Sequence, residues 1–122
     1  MILADTSIWI DHLRRRDPQM QQIVASGQLL MHPFIVAELA LGSLRDRSRT
    51  LDMMDAIWQV PVAQLSDVRK MIETRGLYSK GIGLADAHLL ASCLLSPGTR
   101  LWTRDNALRD VAKSLGIDAG LE

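Results

Sequence analysis

Met1-Ile2-Leu3-Ala4-Asp5-Thr6-Ser7-Ile8-Trp9-Ile10 opens the chain with an apolar run, an acid, two hydroxyls and a second apolar run. The first four residues read as a short buried strand ending at Asp5. Thr6 or Ser7 is then placed to cap a helix carrying Ile8, Trp9, Ile10 and Leu13. The same grammar returns late in the chain. Arg100 to Thr103 reads as a strand ending at Arg104-Asp105, and a helix through Leu108, Val111, Ala112 and Leu115 follows, closed by Gly116. Both stretches are strand, acid, helix. Strands alternating with helices imply a parallel sheet covered on both faces, because each crossover must return its apolar stripe to the sheet. Ligands of such sheets meet the carboxyl ends of the strands, the edge at which Asp5 and Asp105 stand.

The intervening sequence fits this α/β plan. Pro18 suits the first turn of a second helix through Ile23 and Val24, and Gly27 suits its end, before a strand over Gln28 to His32. Phe34 to Leu41 reads as a buried helix closing at Gly42. Arg49 to Trp58 reads as an amphipathic helix with Leu51, Met54 and Trp58 on one face, and the two helices are expected to form a hairpin. Val60-Pro61-Val62 is an expected edge strand, Asp67 to Tyr78 a helix, and Gly81-Ile82-Gly83 a flexible connection. An apolar helix from Ala85 to Leu95 follows, and Ile117 is expected to add a last strand. No repeat, low-complexity tract or linker interrupts the 122 residues, so one domain over residues 1–122 is expected.

Composition narrows the function. With 48% apolar and 23% charged residues the chain can bury a core without disulfides. Its formal charge is zero, which excludes the global positive field of many nucleic-acid-binding domains. Any phosphate affinity must be local, and Arg14, Arg15, Arg16, Arg45, Arg47 and Arg49 are candidates for the rim of an acidic pocket. The single cysteine, Cys93, lies in an apolar run and reads as core. Met1 to Ala4 is too short for a signal peptide, and no apolar stretch reaches the roughly 18 residues of a membrane helix, so a soluble cytoplasmic protein without membrane contact is expected.

Asp5, Asp86 and Asp105 each precede or open a helix, where an aspartate is an ordinary cap. Glu38 differs, being the only charged residue between Pro33 and Leu44. On a helix with no evident polar face it is expected to be buried, and a buried carboxylate requires a cation. Either an arginine or a metal ion shared with the other acids would serve. Hard cations such as Mg²⁺ take oxygen ligands and keep several waters, so a few carboxylates from separate elements, with substrate phosphate oxygens, make a reasonable Mg²⁺ site for phosphodiester hydrolysis, with Ser7 and Thr103 placed to support it by hydrogen bonding. Other chemistries lack their residues. Gly81 to Asp86 has Asp where a dinucleotide fingerprint needs its third glycine, no Walker A sequence occurs, and His12, His32 and His88 are isolated, with His88 the one near Asp86.

Leu3-Ala4-Asp5-Thr6-Ser7, Ala37-Glu38-Leu39, Leu84 to Ala91 and Leu101-Trp102-Thr103-Arg104-Asp105, in this order, resemble the motifs of PIN-domain proteins. The length resembles the VapC-type toxins of type II toxin–antitoxin pairs. The resemblance implies a three-layer α/β/α sandwich with a mostly parallel sheet, and Mg²⁺- or Mn²⁺-dependent endoribonuclease activity leaving 5′-phosphate and 3′-hydroxyl ends. It further implies homodimerisation and neutralisation by a cognate antitoxin. The acids carried over are Asp5, Glu38, Asp86 and Asp105, with Asp5, Asp86 and Asp105 as metal ligands and Ser7 and Thr103 supporting the metal shell. Where some relatives carry a further acid, this chain has Asn106 and Ala107.

The alternative from a different class is a PIN-like module that binds RNA or protein without chemistry, against which the complete acidic set stands. A phosphoacceptor fold fits less well, since Asp5 has no adjacent acid and no lysine follows the Arg100 to Thr103 strand. Met53, Met54, Ile57 and Trp58 are expected to be either core or a surface for a second subunit or an antitoxin helix. The metal reading expects Asp5→Ala to stop RNA cleavage while leaving the fold intact.

Overall fold

The computed structural model describes residues 1–122. Its strands are β1 (Ile2–Ala4), β2 (Leu29–Leu30) and β3 (Arg100–Trp102), and β1 lies between the other two, paired in parallel with both. Leu3 stands opposite Leu30 and Leu101, and Ala4 opposite Trp102. Leu3 and Ala4 point to opposite faces, as do Leu101 and Trp102, yet all are fully buried. Both faces of the sheet are therefore covered, which is the α/β layering that strand and helix alternation implied.

The expected outer strands are reduced to single bridges, Met31 to Gln59 and Leu101 to Asp118, both parallel. The Met31 N–H donates to the Trp58 carbonyl at 2.8 Å, and the Val60 N–H returns to the Met31 carbonyl at 2.9 Å. Pro61 has no N–H to continue that ladder, so the expected strand over Val60 to Val62 does not form.

Seven helices surround the sheet: α1 (Thr6–Arg14), α2 (Pro18–Ala25), α3 (Pro33–Ala40), α4 (Arg47–Asp55), α5 (Leu65–Thr74), α6 (Leu84–Leu95) and α7 (Asn106–Ser114). Asp5, and not Thr6 or Ser7, caps α1: its Oδ1 accepts the Ile8 N–H at 3.3 Å. Asp17 caps α2 ahead of Pro18, and Gly27 leaves that helix at φ +70°. His32 caps α3 by accepting the Phe34 N–H on Nδ1 at 3.0 Å. That role requires an unprotonated nitrogen, and burial followed by the nearby His88 lowers His32 to about 4.

Helix α6 is buried continuously from Ala87 to Cys93, as a helix apolar on all sides should be. Burial raises the Cys93 thiol to about 12, in keeping with a core residue. The α3–α4 hairpin forms, but α4 ends at Asp55, so Trp58 is in an extended segment and 80% exposed instead of sharing a face with buried Met54. No helix is long and apolar enough to cross a membrane.

Candidate active site

The chain runs from β1 to β2 on one side and returns to β3 on the other, so the direction of winding reverses between β1 and β3. Their carboxyl ends deliver Asp5 and Asp105 to the crevice where ligands of wound sheets bind. Asp5 is 4% exposed and heavily constrained. Its Oδ1 accepts from the Ser7 hydroxyl at 2.5 Å as well as from the Ile8 N–H, and its Oδ2 accepts from the Thr103 hydroxyl at 2.5 Å. A carboxylate offers about four lone-pair sites, so Oδ2 keeps one of them open.

The two hydroxyls also join β1 to β3. Ser7 Oγ accepts the Arg104 N–H and Thr103 Oγ1 accepts the Asp105 N–H, each at 3.0 Å. Asp105 caps α7, with Oδ1 accepting the Leu108 N–H at 3.0 Å, which leaves Oδ2 without a protein donor. Asp86, in the first turn of α6, accepts the Gly83 N–H on Oδ2 at 3.4 Å and has Oδ1 free.

Electrostatics tie Glu38 and Asp86 to this edge. Burial raises the Asp86 carboxyl above its ordinary value, the Gly83 N–H pulls against that, and the charges of Asp5 and Asp105 add to it. Burial likewise raises Glu38, followed by the charges of Asp86 and Asp5. The acids thus share one negative field although they are far apart in sequence. The expectation that Glu38 is buried is corrected: it is exposed on α3, on the side that faces the crevice, and retains only a partial desolvation cost.

No arginine supplies the missing cation. The side-chain ion pairs of the chain run from Arg104 to Asp11 at 2.7 Å and to Asp17 at 2.6 Å, leaving Asp5, Glu38, Asp86 and Asp105 without a cationic partner. No three acidic, histidine or cysteine side chains stand close enough to hold a metal ion by themselves. The four acids at this sheet edge (the acidic bowl) are oxygen donors without a cationic partner, a set whose chemistry suits Mg²⁺ or Mn²⁺ completed by water better than Zn²⁺. Unpaired like charges with free oxygens are the donor set such an ion neutralises.

His88 packs in the interior. It is buried with its ring 4.6 Å from Phe34 and 6.4 Å from His32. Two residues not singled out as site candidates support the bowl from behind. Arg104 bridges Asp11 and Asp17 and donates to the Glu122 carbonyl at 3.0 Å, fixing the loop between α1 and α2 to the end of β3. Arg109 donates to the Thr103 carbonyl at 2.9 Å. The position of Arg104 between Thr103 and Asp105 was the available signal for the first; nothing in the sequence marks Arg109.

Residues 2–114 match the family model of the PIN domain. The chain is 39% identical over 117 residues to Ribonuclease VapC32 of Mycobacterium tuberculosis strain CDC 1551 / Oshkosh, covering 96% of this chain and 94% of that protein. The same figures hold for Ribonuclease VapC32 of strain ATCC 25618 / H37Rv.

Proposed function

Because the chain belongs to the PIN-domain family, we propose that it is a Mg²⁺- or Mn²⁺-dependent endoribonuclease acting in the cytoplasm as a dimeric toxin neutralised by a cognate antitoxin. The observation that carries the reading is the set of four acids sharing one field at the strand-end crevice with no cationic partner. The toxin role is supported by the likeness to a ribonuclease of the VapC kind along nearly its whole length.

Asp5 Oδ2, Asp86 Oδ1 and Asp105 Oδ2, the oxygens without a full complement of donors, would hold the ion. When bound, Mg²⁺ or Mn²⁺ supplies positive charge against the scissile phosphate and the departing oxygen. Ser7 and Thr103 hold Asp5 in one rotamer, so that its free lone pair is presented without rearrangement. Glu38, raised above an ordinary carboxylate, accepts the proton of the attacking water on its side-chain oxygen. The water oxygen bonds to phosphorus and remains on the 5′-phosphate, the bond from phosphorus to the 3′-oxygen breaks, and that oxygen takes a proton from solvent water to leave as a 3′-hydroxyl. Incubating purified protein with structured RNA tests this directly. Cleavage with Mg²⁺ or Mn²⁺ that chelator stops is expected; RNA that is bound but left intact would make the chain a binding module.

A further inference from the structure

Six arginines, at the end of α1, in the α3–α4 connection and on the first turn of α4, are candidates for the rim of the acidic pocket, and the structure separates them. A cleft of about 750 Å³ runs between α1 and the α3–α4 hairpin, within the range of ligand-binding clefts. Arg14, Arg16 and Arg45 line it, and so does Glu38, which feels the charges of Asp86 and Asp5, so the cleft and the acidic bowl share this residue. Arg47 is otherwise engaged, donating to the Ala40 carbonyl at 2.5 Å and the Gly42 carbonyl at 3.2 Å, where it closes the end of α3. Arg15 and Arg49 are exposed outside the cleft.

We propose that Arg14, Arg16 and Arg45 form a subsite for the phosphates of an unpaired RNA strand flanking the bond that is cut. None of the three guanidiniums makes an ion pair or a side-chain hydrogen bond within the protein. Each therefore keeps all its donors for a ligand. Asp46 and Glu38 are the acids of the cleft, and Glu38 is the one it shares with the acids of the bowl. His12 also lines it, but burial lowers this imidazole, followed by opposing effects of Asp17 and Arg16, so the positive charge at neutral pH comes from the arginines. Ile10, Leu13, Leu39 and Met53 supply an apolar surface for a base. A concave cleft of mixed apolar and guanidinium character accepts a splayed nucleotide; a rigid duplex cannot enter it.

This proposal rests on the ribonuclease reading, and its test separates the two. A short fluorescein-labelled single-stranded RNA of random sequence is titrated in chelator against the unmodified protein, an Arg14→Gln/Arg45→Gln variant and a charge-matched Arg15→Gln/Arg49→Gln variant. The cleft variant should lose about 10- to 100-fold in affinity and about 1.4 from the slope of log affinity against log salt, at roughly 0.7 per lost contact to a single strand. The control should change by less than about threefold, and the cleft variant should raise KM for RNA cleavage with kcat nearly unchanged. Equal losses in the two variants would overturn the subsite, because the effect would then be general charge. Unchanged RNA affinity in the cleft variant, with loss of inhibition by the protein encoded beside this chain, would also overturn it and give the cleft to a protein partner. If the unmodified protein shows no divalent-dependent cleavage, the reading of the acidic bowl fails, while the chelator titration still decides the cleft.

Discussion

Replacing Asp5 tests the site and the fold at once, because this carboxylate accepts three hydrogen bonds besides standing at the metal edge. In Asp5→Ala, the Ile8 N–H loses its cap, the buried Thr103 hydroxyl loses its acceptor, and the Ser7 hydroxyl must turn to water. A lost cap costs about 1 kcal/mol and an orphaned buried donor about 1–3 kcal/mol, so the total is about 2–4 kcal/mol. Against a typical total of about 5–15 kcal/mol this is large. The sequence-based expectation that Asp5→Ala keeps the fold intact therefore needs amendment, since loss of activity in that variant mixes chemistry with unfolding. Asp5→Asn is the cleaner change. Its amide oxygen keeps the cap, its NH₂ faces one hydroxyl that can turn to accept, and removal of one negative charge relieves Asp86 and Glu38. Its net cost should be about 1 kcal/mol, a fall in Tm of about 4 °C for a chain of this size. RNA cleavage at saturating Mg²⁺ should fall at least about 100-fold, since a charged ligand is gone. Calorimetry gives the first quantity and a single-turnover cleavage assay the second. Asp5→Asn cutting RNA within about threefold of the unmodified rate would refute the reasoning.

Asp86→Asn should move stability and activity in opposite directions. An acid whose folded pKa is raised penalises folding above that pKa, and the penalty disappears as pH falls through it. The variant should thus be more stable than the unmodified protein near neutral pH without metal, by about 0.5–1 kcal/mol, and the gain should vanish under mild acid; denaturant titration at two pH values checks the sign. Arg104→Ala should destabilise by about 1 kcal/mol through loss of the Asp11 and Asp17 pairs. The hydrogen bond from Arg104 is the main cause of the lowered Asp17 pKa, so this contribution is present above the ordinary 3.8 and is lost as pH falls through the depressed value. Its measurement is the difference in unfolding free energy between variant and parent at neutral pH and at strongly acid pH.

The parts legible in the sequence are those with local causes. Asp5 and Asp105 follow short apolar strands and head helices, so their common edge follows from the handedness and parallel pairing of the sheet. Boundaries set by distant partners were not legible. Trp58 looks like the last turn of an amphipathic helix, but its carbonyl is taken by Met31 across the sheet, and the helix stops before it. Glu38 looked buried because its neighbours are apolar, whereas α3 turns that side toward an open crevice. Even so exposed, its carboxyl is raised by partial burial and by the charges of Asp86 and Asp5. The partners of Arg104, Asp11, Asp17 and the Glu122 carbonyl, are distant in sequence and brought near only by the fold, so its position beside Asp105 could not reveal them.

The central claim is that these acids together bind a divalent ion. Mn²⁺ binding followed by electron paramagnetic resonance, in the unmodified protein and in Asp5→Asn, Asp86→Asn and Asp105→Asn, puts that claim to its most direct test. Saturable binding at neutral pH is predicted, weakened at least about tenfold by each substitution and lost on acidification, because protons compete for the same oxygens. Mn²⁺ bound equally well by all four proteins would contradict the claim.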